Sequence, residues 1–91
     1  MDFEWDAAKS EDCFLKRGFD FEAIIDVFRD PERLVEIDDR WDYGEDRFRL
    51  IAKLDERHFV VIFTRRSNSV RIISARKANA REVRRYEKSS S

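Results

Sequence analysis

Between Phe21 and Phe28 apolar side chains recur at i, i+3, i+4 and i+7 (Phe21, Ile24, Ile25, Phe28), the stripe of a helix lying on a core. Asp20 stands where such a helix takes its N-cap, and Asp30-Pro31 stops it. Upstream, Phe3-Glu4-Trp5 alternates as a short strand, and Asp6 caps a helix that runs to about Arg17 and closes at Gly18. The pairs Ala7, Ala8 and Phe14, Leu15 lie seven apart on one side of that helix. Glu11 interrupts their stripe, which predicts a half-exposed helix.

Beyond Pro31 the period falls from 3.6 to 2. Leu34–Asp38 reads as a strand, and residues 47–54 alternate, with Phe48, Leu50, Ala52 and Leu54 on a dry side and Arg47, Arg49 and Lys53 on a wet one. Asp55-Glu56-Arg57 is a turn. His58–Thr64 is apolar on both sides, as a central strand covered twice would be. Arg66–Ser69 turns the chain again into a last strand, Val70–Ser74. Asn79 and Glu82 form a capping box for a final helix to about Lys88, whose apolar side is only Ala80, Val83 and Tyr86; Ser89–Ser91 reads as a disordered tail. The layout is β-α-α-β-β-β-β-α: one α+β domain over residues 1–91, with helices against an antiparallel meander.

A chain of 91 residues can bury a modest core, and eight Phe and two Trp supply large pieces of it. Cys13 is the only cysteine, so no internal disulfide forms, and no stretch reaches the roughly 20 apolar residues of a membrane span. The acidic start Met1–Asp6 is unlike a secretory signal, and the expected location is cytoplasmic.

Charge changes the picture most. From Arg65 to Ser91 nine Lys/Arg face two Glu, a local charge of +7, while residues 1–64 carry −8, so the net −1 conceals a basic end. Such a field attracts polyanions, and the arginine fork matches phosphate. Arg65, Arg71, Arg76, Arg84, Arg85 and Tyr86 are expected to converge at one end of the sheet. The competing reading is that these charges only solubilise a short helix. RNA cleavage suits the set chemically: the 2′-OH is an internal nucleophile, and an enzyme need only align it, offset the phosphorane charge and assist the leaving oxygen, with no metal or other cofactor.

Other constellations are weaker. The acidic run Asp38, Asp39, Asp42, Glu45 and Asp46 lacks the ligand order of a Ca²⁺ loop and reads as a solvated hairpin loop. Trp41 and Tyr43 in that loop either stack bases or fold back onto the sheet. His58, alone, rules out histidine pairs and reads as a turn residue without a role. Two glycines in the whole chain leave no phosphate-cradling loop. Glu11 and Asp12 beside Cys13 argue against a reactive thiolate.

The sequence resembles the BrnT toxins of bacterial type II toxin-antitoxin modules. The matching pieces are Phe3-Glu-Trp-Asp-Ala-Ala-Lys9, Lys16-Arg-Gly-Phe-Asp-Phe-Glu-Ala23, Asp30-Pro31, Glu45-Asp-Arg-Phe48, Arg71-Ile-Ile-Ser-Ala-Arg-Lys-Ala78 and Arg84-Arg-Tyr86, in family order along essentially the whole chain. The resemblance implies a RelE-like fold and a ribonuclease that blocks translation. It also implies neutralisation by a BrnA-like antitoxin, whose ribbon-helix-helix domain binds operator DNA, in a heterotetramer. This chain departs from the family pattern at Cys13, where Asn is usual, and at Arg17, where His is usual; if that His passes a proton, activity suffers here, and if it only caps the helix, Arg17 substitutes through the helix dipole.

On this footing Arg65 and Arg76 are expected to hold the scissile phosphate and Arg85 or Lys77 to stabilise developing charge. Tyr86 either orients the 2′-OH or passes a proton, with Arg84 and Arg85 lowering its pKa, or else serves as the last apolar anchor of its helix. Lys9 and Lys16 would line the other wall, with Arg71, Arg81 and Arg84 on the RNA path. A non-catalytic RNA- or protein-binding module with a basic face is the alternative.

Overall fold

Asp6 ends the first strand and starts the first helix. Its carboxylate accepts the backbone N–H groups of Ala8 at 2.9 Å and Lys9 at 3.3 Å, so the chain leaving β1 (Asp2–Trp5) turns at once into α1 (Ala7–Arg17). Gly18, at φ 83°, closes α1 by donating its N–H to the Phe14 carbonyl at 2.9 Å, as the sequence predicts. The computed structural model describes residues 2–90. After α1 come α2 (Phe21–Ile24), a 3-10 segment (Ile25–Arg29), β2 (Leu34–Ile37), β3 (Phe48–Leu54), β4 (Arg57–Arg66), β5 (Ser69–Lys77) and α3 (Ala80–Ser90).

The five strands form one sheet in the order β1-β5-β4-β3-β2. β2 to β5 make the expected antiparallel meander, but β1 lies parallel to β5, Asp2 beside Ser69 and Trp5 beside Ile72, so the sheet is mixed. The expectation of a purely antiparallel sheet fails because α1, α2 and the 3-10 segment carry the chain across one face from the β1 edge to the β2 edge. A helical crossover of that length releases β1 from the hairpin rule.

That face holds the main core. Phe21, Ile24 and Val27 pack on Leu50, Ala52, Phe59, Val61, Phe63, Val70, Ile72 and Ala75. Past Ile24 the helix tightens to three residues per turn, so the buried positions run 21, 24 and 27, and Ile25 and Phe28 are only partly buried. The stripe on α1 also differs from expectation: Phe14 and Leu15 are 53% and 74% exposed, and the helix buries Ser10 and Cys13 instead. The Ser10 hydroxyl accepts the Phe21 N–H at 3.0 Å, which turns the small-residue side of α1 inward.

α3 covers part of the opposite face, where Tyr86 packs with Ile51, Val60 and Ile62. β3 therefore lacks the single dry side its alternation predicts: Ile51, between Arg49 and Lys53, is fully buried. β4 is apolar on both sides, as expected. The β3–β4 turn places Asp55 and Glu56 at φ 51° and 69°, the positive values that let a two-residue hairpin follow the sheet twist. α3 starts with the predicted capping box, Glu82 N–H to Asn79 Oδ1 and Asn79 N–H to Glu82 Oε1, both 2.9 Å. It continues through Ser89 and Ser90, which are helical rather than tail; Ser91 lies outside the described residues. Among the described residues no helix is long and apolar enough to cross a membrane.

Candidate functional site

Beside its apolar patch, the α3-bearing face carries an array of guanidinium and carboxylate groups in two bonded sets, one around Glu36 and Asp38 and one of Arg76 with Glu82. Glu36 on β2 faces Arg49 on β3 in the strand register. Its Oε1 accepts from Arg49 Nε at 3.1 Å and from Arg85 Nη2 at 3.0 Å, and its Oε2 from Arg85 Nε at 3.3 Å. Burial alone would raise the Glu36 pKa, but the bonds from Arg85 and Arg49 outweigh it and the carboxyl sits below its usual range.

Two residues on, Asp38 turns inward. Its side chain is fully enclosed, accepts from Arg40 Nε at 2.7 Å and Nη2 at 3.0 Å, and lies 3.9 Å from Arg49 Nη1. Arg40 holds this carboxyl below the usual range as well. The acidic run is thus not wholly a solvated loop. Trp41 stays 72% exposed and does not fold back, while the Tyr43 ring carries the Arg47 guanidinium at 3.9 Å.

Arg76 on β5 and Glu82 on α3 make the tightest pair, Nη1 to Oε1 at 2.7 Å and Nη2 to Oε2 at 2.8 Å. The Arg76 fork is the main cause that draws the Glu82 pKa down to about 2. Arg40 lies near enough for its charge to weigh on Arg76. Four arginines, Arg40, Arg49, Arg76 and Arg85, thus stand with three carboxylates on one face. The forks that grip carboxylates here are the geometry with which arginine grips phosphate, and Arg76 and Arg85 keep 41% and 37% of their side chains exposed.

The remaining expected residues are dispersed, so the single convergent pocket is not found. Arg65 is five residues of β4 away from the rung where Val60 faces Arg76, about 17 Å along the strand. It also belongs to the opposite face, its guanidinium 5.1 Å from the Phe48 ring. Arg71 faces Glu4 across the β1–β5 register at 4.0 Å. Lys77 is exposed at the end of β5, and Arg81 and Arg84 are exposed on α3. Lys9 and Lys16 are exposed on α1; Lys16 is paired to Asp12 at 3.0 Å, while Lys9 lines the hollow between α1 and β5 that Arg76 also borders.

Tyr86 is buried, and its hydroxyl donates to Asp30 Oδ2 at 2.6 Å. Burial first, and then Asp30, push the phenol pKa up, so the expected lowering by Arg84 and Arg85 does not occur. The same Asp30 oxygen accepts the Lys53 N–H at 2.8 Å, and the His58 ring meets Tyr86 edge-on at 4.9 Å. Tyr86 is the anchor of α3, and His58 helps to pack it. Burial raises the Cys13 pKa, in the direction expected of an unreactive thiol.

Two members of the array escape a sequence reading. Arg49 stands on the recognised polar side of β3, but nothing in the sequence pairs it with Glu36; Arg40 sits among acids in a loop and carries no periodic signal.

In a comparison with protein families, residues 5–82 fit the family described as ribonuclease toxin, BrnT, of type II toxin-antitoxin system. No curated protein matches the chain.

Proposed function

The chain belongs to the BrnT family of ribonuclease toxins of type II toxin-antitoxin systems, and on that premise we propose that it cuts RNA on the arginine-bearing face of the sheet. The observation that carries this reading is the grouping of four guanidinium groups from β3, β5, α3 and the loop after β2 around carboxylates that a phosphate can replace.

In the proposed reaction the RNA phosphate takes the place of Glu82 and Glu36 on the outer donors of Arg76 and Arg85. The 2′-oxygen gives its proton to solvent water and bonds to phosphorus, the bond from phosphorus to the 5′-oxygen breaks, and that oxygen takes a proton from water. The products are a 2′,3′-cyclic phosphate and a 5′-hydroxyl. Arg76 and Arg85 offset the charge that develops on the phosphorane oxygens, where fixed donors contribute most, and Arg49 and Arg40 support them from behind. Lys77, Arg81 and Arg84 guide flanking phosphates. Arg65, Arg71 and Lys16 lie outside this centre, Lys9 borders it through the hollow it shares with Arg76, and Tyr86 acts through the position of α3. No proton is routed through residue 17, so Arg17 in place of the family His leaves cleavage intact.

The wider reading is that of a RelE-like toxin in the cytoplasm that stops translation and is held in check by a ribbon-helix-helix antitoxin in a heterotetramer. The test of the activity is incubation of purified protein with RNA in EDTA, followed by analysis of the new ends. Cyclic phosphate and 5′-hydroxyl ends are expected. Bound but intact RNA would establish instead the non-catalytic binding module, a reading favoured by the fact that Arg40, Arg49, Arg76 and Arg85 each already have a carboxylate partner.

A further inference from the structure

β1 lies beside β5 only from Ser69 to Ile72, yet β5 runs on to Lys77. Past Trp5 the chain leaves the sheet for α1, so among the described residues no strand lies on the outer side of Ile73–Lys77. Ala78 donates its N–H to the His58 carbonyl on β4, and by antiparallel alternation the peptide groups of Ala75 and Lys77 turn outward. The donors that reach these two carbonyls are the Cys13 thiol, 3.6 Å from that of Ala75 and weak, and the Arg76 guanidinium, 3.3 Å from that of Lys77.

Between this strandless edge and α1 is a hollow of about 520 Å³, walled by Ile73–Arg76 on the strand and by Lys9, Cys13 and Arg17 on the helix. From Lys9 to Arg17 the helical wall is about 12 Å long, enough to flank an extended segment of about four residues. Its charges are not balanced internally. Asp6 is engaged in capping α1 and Asp12 in pairing with Lys16, whereas Lys9 and Arg17 have no carboxylate within ion-pair distance among the described residues.

We propose that this edge takes an extended acidic segment of a partner protein as a sixth strand, its peptide groups pairing with β5 and its carboxylates meeting Lys9 and Arg17. Backbone pairing at an exposed edge supplies affinity and the flanking side chains supply selectivity. Donors and acceptors spaced at the peptide repeat favour a polypeptide over RNA. The inference rests on membership of the toxin family, from which an antitoxin partner follows; the antitoxin is the source of the segment.

The test is amide hydrogen exchange of the full-length protein alone, with its cognate antitoxin, and with RNA. Slowed exchange at Ala75 and Lys77 with antitoxin is expected, and the double variant Lys9→Glu/Arg17→Glu, exposed at both positions, should bind antitoxin at least about tenfold more weakly. Protection confined to another edge, such as β2, would overturn the assignment and leave the ribonuclease reading standing. Protection of Ala75 and Lys77 by RNA but not by antitoxin would overturn it and make the hollow part of the RNA path. Absence of any complex would overturn the partner itself, whatever the protein does to RNA.

Discussion

The two faces of the sheet are built on different principles. The face under α1 and α2 is a continuous apolar layer in which Phe21, Ile24, Val27, Leu50 and Val61 are essentially inaccessible. The face under α3 has a small apolar patch around Tyr86 and then gives way to arginines and carboxylates that hold one another. The first face can be read as stability alone. The second binds its helix with paired charges that a polyanion can compete for, the property on which the proposed cleavage rests.

The contrast can be broken first in the strand that serves both sides. Leu50 and Ile51 are neighbours on β3 that bury to opposite faces. Truncation to alanine costs about 2–5 kcal/mol in a core. Leu50→Ala should fall near the top of that range, because the layer around it cannot collapse. Ile51→Ala should fall near the bottom, because a single helix can settle into the gap. Urea unfolding of the two variants measures the difference, and equal losses would mean that α3 packs as rigidly as the main core.

A second probe is Glu82→Gln, which keeps the shape and removes the charge under Arg76. Glu82 titrates near 2 in the folded chain and is almost enclosed, so its stabilising effect is complete above its ordinary value of 4.5 and is lost as pH falls toward 2. Roughly 1–3 kcal/mol should be missing from the variant at pH 7, and much less at pH 3. A variant as stable as wild type at pH 7 would show that the pair only breaks even against its desolvation.

A smaller effect is expected at Tyr86→Phe, which removes the bond to Asp30 at a cost of about 1 kcal/mol. RNA cleavage by this variant should stay within a fewfold of wild type. A loss of about 10³-fold with the fold intact would return the phenol to the chemistry.

Much of this architecture can be read from the residues, and the exceptions have physical reasons. Asp6, Gly18, Asp20, Asn79 and Glu82 mark helix ends by local hydrogen bonding, which sequence reports directly. The parallel place of β1, the inward turn of Ser10 and Cys13 and the burial of Ile51 all depend on which element lies opposite, and periodicity within one segment is silent about that. The basic C-terminal third is likewise visible as composition. Which of its arginines meet is decided by register: one-residue alternation sends Arg65 and Arg76 to opposite faces, and Glu36, thirteen residues before Arg49, brings in a partner that charge counting overlooks.

The central claim is that cleavage belongs to the α3-bearing face and not to the basic end as a whole. Arg85→Ala tests it with least damage, because Glu36 keeps Arg49 as its partner, and Arg65→Ala is the matched control. With both variants shown to be folded, the rate of RNA cleavage should fall about 10²-fold or more for Arg85→Ala and stay within about twofold for Arg65→Ala. The reverse pattern, with Arg65→Ala inactive and Arg85→Ala active, would contradict the account.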